Sequence, residues 1–168
     1  MKFPFVVLLS AASSLASTDE SHLRPRDSII VKVTDHTFEP LSLNVEVGKS
    51  VWFEFYGGTH SIVQADYNYP CQQLESGFAT GSFTTDPESG KPNRKALLLY
   101  IKDKNPIWFY NGAEDQCHKY GAVGVINPPE NDEQNIYEFS RHALGLEYTE
   151  NPEGNTVEGA WITTMLSE

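Results

Sequence analysis

Short runs of hydrophobic residues, several of them alternating with polar ones, predict β-strands along most of the chain. Residues 29–33 form a β-branched run, which is typical of a strand. Residues 41–47 alternate strictly between apolar and polar positions, and the alternation resumes over 51–55 after a Gly-Lys turn at 48–49. This pattern predicts two half-buried strands joined as a hairpin.

Further strand patterns follow at 60–65, 96–101, 106–110 and 122–126. Residues 67–81 are rich in aromatic residues, proline and glycine, and they predict a long irregular loop. Many short strands separated by turn signals predict an all-β chain, folded as a Greek-key β-sandwich of about seven or eight strands.

One helix is expected after the strands, within a C-terminal helix and tail at 130–168. Asn131 can cap this helix, and Asp132 and Glu133 suit the positive end of the helix dipole. Gly145 can end it. Its apolar face is predicted to consist of Ile136, Phe139, Ala143 and Leu144. The pattern over 147–168 is weak, and it allows either an ordered or a partly disordered tail.

The N-terminus predicts a signal peptide over residues 1–16. Lys2 is followed by a short apolar run and by small residues up to Ala16, the features of a cleavable secretory signal. The run is too short to cross a bilayer, which takes about 20 residues, although a buried N-terminal strand is the alternative. We therefore expect a secreted, extracellular chain with a flexible lead at 17–28.

Composition narrows the classes of partner. The chain has 168 residues and a net charge of −11, a sign of charge that repels phosphate backbones. Nucleic acid is therefore not an expected partner. Cys71 and Cys117 are the two cysteines, and in an oxidising compartment such a pair usually forms a disulfide. Two free thiols are the alternative.

Four motifs occur in a fixed order between residues 29 and 129. They lie at 38–40 with 47–53, at 59–64, at 69–71, and at 106–127. Together they resemble the fungal extracellular cupredoxin-like proteins, also called extracellular serine-rich proteins. The resemblance implies one cupredoxin-type domain over 29–129, with the helix and tail at 130–168 appended to it.

The resemblance also implies where copper ligands would stand, and most of them are replaced. A type 1 copper site needs two imidazoles and one thiolate, usually with a long axial methionine contact. His60 stands at the first histidine position, but Asn111 stands at the cysteine position. Gln116 replaces the second histidine and Ala122 replaces the methionine. We therefore expect no functional type 1 site and no cofactor.

His118 leaves a second alignment open, in which Cys117 takes the histidine position and His118 the cysteine position. Neighbouring side chains on a strand point to opposite faces, so both should not bind one metal unless the loop is irregular. His60 and His118 stay as candidate ligands for weak binding of Cu(II) or Zn(II). The other histidines are expected to be solvated: His22, His36 and His142.

No hydrolase, zinc-protease or phosphate-loop motif occurs in the sequence, so an enzyme is not expected. Four acidic loop residues offer the paired carboxylates that glycosidases use, but acidic residues are common in this chain: Asp66, Glu75, Glu114 and Asp115. Five aromatic residues are expected in loops around His60 and Cys117, where they either stack on sugar rings or fill the core: Tyr56, Tyr67, Tyr69, Phe78 and Tyr120.

These features predict a secreted cupredoxin-like protein without a functional type 1 copper site. A binding or structural role at the cell wall or extracellular surface is expected, with cell-wall or host-surface glycans or proteins as partners. The alternative is a copper-binding cupredoxin that acts in electron transfer or metal binding through His60 and His118. An enzyme that acts on glycans is the third hypothesis.

Overall fold

A computed structural model describes residues 28–130, 134–154, 157 and 159–164. The predicted signal peptide, His22, most of the lead and the predicted helix cap at 131–133 lie outside these residues. In the described part of the chain, no helix is long and apolar enough to cross a membrane.

Eleven strands and two α-helices are present in the described residues. The strands are β1 (Ser28–Thr34), β2 (Thr37–Glu39), β3 (Ser42–Leu43), β4 (Ser50–Phe55), β5 (Gly58–His60), β6 (Ile62–Ala65), β7 (Phe83–Thr85), β8 (Lys95–Tyr100), β9 (Ile107–Asn111), β10 (Val123–Ile126) and β11 (Ala160–Thr164). The helices are α1 (Gln116–Tyr120) and α2 (Ile136–Ala143). The count exceeds the expected seven or eight because β2, β3, β5 and β7 have only two or three residues each.

The strands form two mixed sheets that pack face to face, and β5 and β7 form a separate two-stranded sheet. The first sheet has the order β11-β8-β4-β1-β2, and the second has the order β3-β10-β9-β6. β1 runs parallel to β4 and β3 runs parallel to β10, while the remaining neighbours are antiparallel. The predicted β-sandwich is therefore confirmed.

The predicted hairpin between 41–47 and 51–55 is wrong, because its two halves lie in different sheets. β3 pairs with β10, whereas β4 pairs with β1 and β8. Leu41 and Val47 are exposed, and Val45 alone of the alternating set is fully buried. The Val45 N–H donates to Asn127 Oδ1 at 2.7 Å, which holds the chain where it crosses between the sheets.

The main core lies between the two sheets and is aromatic at its centre. The Phe109 ring on β9 meets the rings of Phe38 and Phe53 edge-on, with centroids 4.9 and 5.3 Å apart. Gly124 on β10 faces Phe109, and a Cβ at this position would lie 2.3 Å from the Phe109 ring. A side chain at 124 would therefore displace the ring at the centre of the core.

A second core covers the outer face of the second sheet. Trp108 and Tyr110 point to this face because side chains alternate along β9, and they pack with Phe139 of α2 and with the cysteines at 71 and 117. The helix is therefore part of the domain rather than an isolated appendage.

α2 confirms the predicted helix with two differences. Asn135 caps it, because its side chain accepts hydrogen bonds from Tyr137 N and Glu138 N. Leu144, predicted on the apolar face, is 52% exposed because the helix ends at Ala143. The weak pattern at the C-terminus also concealed β11, which pairs with β8.

Candidate functional site

Asn111 ends β9 at the position where the resemblance implies a thiolate. The residue is 1% exposed. Its Oδ1 accepts hydrogen bonds from two backbone N–H groups, those of Ser61 at 3.0 Å and Ala113 at 3.2 Å. These two donors fix the orientation of the amide, so its Nδ2 must point away from them.

His60 is the last residue of β5, and its imidazole accepts a hydrogen bond from Asn111 Nδ2. The imidazole is 1% exposed, and its Nε2 lies 2.9 Å from the carbonyl oxygen of Gly57. A carbonyl can only accept, so Nε2 carries the proton and Nδ1 is the acceptor. Asn111 Nδ2 lies 3.1 Å from Nδ1 and donates to it. Both ring nitrogens of His60 are therefore occupied by hydrogen bonds to the protein.

Gln116 stands where the resemblance implies the second histidine. Its side chain is buried and hydrogen-bonded to His36, which was expected to be solvated. Its Oε1 lies 2.7 Å from His36 Nδ1, and an amide oxygen requires the proton to be on that nitrogen. The His36 ring also stacks on Tyr120, with centroids 3.9 Å apart. His36 is exposed, as expected, but it makes both contacts. His36 and Gln116 are 80 positions apart along the chain, and the sequence therefore carries no signal for this pair.

Cys117 and His118 lie on a helix, whereas a strand was considered for them from the sequence. The predicted disulfide between Cys71 and Cys117 is confirmed and buried. Cys117 and His118 belong to α1 rather than to a strand, so their side chains diverge by about 100° around the helix axis. His118 faces Thr149, whose Oγ1 lies 2.8 Å from His118 Nδ1.

Thr149 and Glu150 form hydrogen bonds with the elements around the disulfide. Glu150 N donates to the carbonyl of Cys71 at 2.9 Å, and Glu150 Oε2 accepts from Gln73 N at 2.7 Å. Tyr110 donates its hydroxyl to the Glu150 carbonyl at 3.0 Å. Burial, reinforced by the charge of Glu150, raises the pKa of Tyr110, so its hydroxyl stays protonated as the donor that this contact requires.

Tyr110→Phe tests the hydrogen bond to Glu150. Loss of one largely buried hydrogen bond should lower the free energy of unfolding by about 1 kcal/mol at neutral pH. A tyrosine in the unfolded chain ionises near pH 10, at about its ordinary pKa. Because the folded Tyr110 has a higher pKa, its contribution is complete below about pH 10 and is lost as the pH rises further. Urea unfolding at about pH 7 and pH 11 should therefore show the gap between wild type and variant narrowing, and a constant gap would contradict this account.

The predicted aromatic cluster divides between core and surface. Phe78 lies in the main core, and Tyr67 packs on Trp108. Tyr56 is half-buried and donates to Glu54 Oε2 at 3.0 Å. Tyr69 is exposed and lines an open groove that also contains Asp66 and Glu75.

The other two acidic residues, Glu114 and Asp115, lie outside this groove, in a one-turn 3₁₀ segment. Asp115 pairs with Lys119 at 2.8 Å. This hydrogen bond lowers the pKa of Asp115.

The residues at this end of the sandwich do not fit a type 1 copper ion. Both sulfurs are in the disulfide, so no thiolate is available, and a thiolate is what such a site requires. The nitrogen lone pair of His60, on Nδ1, already accepts a hydrogen bond from Asn111. Among the described residues, no group of three or more His, Cys, Asp and Glu side chains is arranged to hold a metal ion.

Similarity to known proteins is confined to solved structures and is low. No protein-family model matches the chain, and no curated protein does. Among solved structures, the chain is similar to a Cu(I) form of an amicyanin variant, with 12% identity and a TM-score of 0.45 over 64% of this chain and 86% of that one. It is also similar to a purple cupredoxin from Nitrosopumilus maritimus, with 15% identity and a TM-score of 0.43 over 58% and 95%. Pseudoazurin from Hyphomicrobium denitrificans shows 13% identity and a TM-score of 0.42 over 59% and 73%.

Proposed function

We propose that this chain is an extracellular cupredoxin-like protein without a functional type 1 copper site, and that it serves in binding or structure at the cell wall or another extracellular surface. It is not an enzyme in this proposal. The observation that carries the proposal is the hydrogen bond from Asn111 Nδ2 to His60 Nδ1 at 3.1 Å.

This hydrogen bond opposes metal binding in two ways. A metal on Nδ1 would have to displace the Asn111 amide, which also holds the backbone N–H groups of Ser61 and Ala113. Buried N–H groups without partners cost about 1–3 kcal/mol each. Turning the amide to offer its oxygen would still supply no thiolate, and an amide oxygen does not give the electronic structure of a blue copper centre.

Two features support an extracellular location. The disulfide between Cys71 and Cys117 is of a kind that persists in oxidising compartments and is rare in the cytosol. The predicted signal peptide at 1–16 agrees with this assignment.

Titration of the purified protein with Cu(II), followed by visible absorption and calorimetry, tests the proposal. We expect no intense blue thiolate-to-copper band, and the same weak heat for wild type and His60→Ala. His142→Ala is the matched control, because His142 is an exposed histidine on α2. A strong band would contradict the proposal, as would tight binding that is lost in both His60→Ala and His118→Ala, since that result would support copper binding through these two residues.

A further inference from the structure

An open groove lies on the loop that follows Cys71. Its volume is about 280 Å³. It is lined by Asp66, Tyr69, Gln72, Gln73, Leu74 and Glu75. It contains none of the residues considered as copper ligands.

Tyr69 supplies the platform. Its side chain is 62% exposed, and in the described part of the chain its ring makes no aromatic stacking contact. Tyr67 and Tyr120, by contrast, are stacked on Phe139 and His36. A large ring held in water at the edge of a groove offers an apolar face to a planar or cyclic ligand.

Polar groups surround this platform and are suited to hydroxyl groups. Asp66 and Glu75 are exposed carboxylates, and each can accept several hydrogen bonds. Asp66 uses Oδ1 for the backbone and side chain of Asn68, while Oδ2 has no hydrogen bond among the described residues. The amide of Gln72 can both donate and accept.

The loop is held in place before any ligand arrives. The disulfide fixes it at Cys71, and Gln73 N donates to Glu150 Oε2. Leu74 N donates to the carbonyl of Gln64 at 2.8 Å, and Gly77 N donates to the carbonyl of Leu74 at 2.7 Å. A loop that is fixed to the rest of the fold at three points and has its own internal turn loses little conformational freedom when it binds, so more of the contact energy appears as affinity.

We propose that this groove binds a neutral oligosaccharide, with one sugar ring stacked on Tyr69 and its hydroxyl groups bonded to Asp66, Gln72 and Glu75. The inference rests on the proposed binding role and names its ligand class. The two carboxylates and the charge of −11 repel anionic polysaccharides. Of the six lining residues, all except Tyr69 and Leu74 carry a charged or amide group. Such a lining does not suit a purely apolar ligand.

The test uses short oligomers of glucose and of N-acetylglucosamine as probes, titrated into ¹⁵N-labelled protein and followed by NMR. We expect at least one probe to shift the backbone signals of residues 66–75, with an affinity that added salt does not change. If no probe shifts these signals at millimolar concentration, the proposal is overturned. Binding that added salt abolishes would also overturn it, because salt screens charge interactions and does not release a neutral sugar held by stacking and hydrogen bonds.

Variants then assign the platform. Tyr69→Ala should weaken binding about tenfold through loss of the stacking face, and Tyr69→Phe should bind as the wild type does. Tyr137→Ala is the matched control, because Tyr137 is 80% exposed on α2 and lies outside the groove. Wild-type affinity in Tyr69→Ala would overturn the assignment. If the sugars do not bind and the copper titration is also negative, the groove proposal is overturned while the proposal of a protein without a functional copper site is kept.

Discussion

Asn111→Ala should lower the free energy of unfolding by about 3–5 kcal/mol. The truncation removes one acceptor from two backbone N–H groups, those of Ser61 and Ala113, and the donor from His60 Nδ1. All three groups lie at buried residues, where each lost partner costs the desolvation of that group. Chemical denaturation of wild type and variant gives the difference.

Asn111→Asp separates the two functions of this side chain. It keeps an acceptor for both backbone N–H groups but replaces the donor to His60 with a second acceptor. Nδ1 then faces an oxygen instead of a donor, so this variant should keep the two backbone contacts, lose the His60 contact and be less stable than the wild type. An Ala variant as stable as the wild type would contradict the assigned hydrogen bonds.

Replacing both cysteines, Cys71→Ala with Cys117→Ala, should lower the free energy of unfolding by about 4 kcal/mol. The bridge spans 46 residues of sequence, and the chain-entropy model gives a loop of this length about that stabilisation. The pair also packs in the second core against Tyr110 and Phe139, so the variant loses buried contacts as well. Equilibrium unfolding in urea measures the change.

Single replacements provide the control for the double one. Cys117→Ala alone leaves Cys71 as a thiol in the same core, and its stability should be close to that of the double variant because the cross-link is absent from both. If the double variant unfolds at the same urea concentration as the wild type, the disulfide does not hold the loop to α1 in the way described.

Most of the sandwich could be predicted from the sequence because hydrophobic runs mark buried strands whatever their partners are. The runs at 29–33, 96–101 and 106–110 correspond to β1, β8 and β9. Pairing was harder to predict, because an alternating pattern specifies one buried face but not the sheet that receives it. The segment at 41–47 therefore suggested a hairpin, although it joins two sheets.

The site was predicted in part, because residue type limits chemistry but not orientation. That Asn111 stands where the resemblance implies a cysteine was visible in the sequence, and the disulfide prediction followed from two cysteines and a predicted signal peptide. The contacts that decide what His60 can do depend on backbone groups of Gly57, Ser61 and Ala113. Backbone donors and acceptors have no residue-specific signature, so sequence alone did not show that both imidazole nitrogens are occupied.

The central claim concerns the proton and the lone pair of one imidazole, and ¹⁵N NMR of the His60 ring observes both. The account predicts a protonated Nε2 and an unprotonated, hydrogen-bonded Nδ1, with no change when Zn(II) is added in equimolar amount. Movement of the Nδ1 signal on addition of zinc, together with loss of the Asn111 side-chain amide signals from their original positions, would show that a metal can take this nitrogen and would contradict the account.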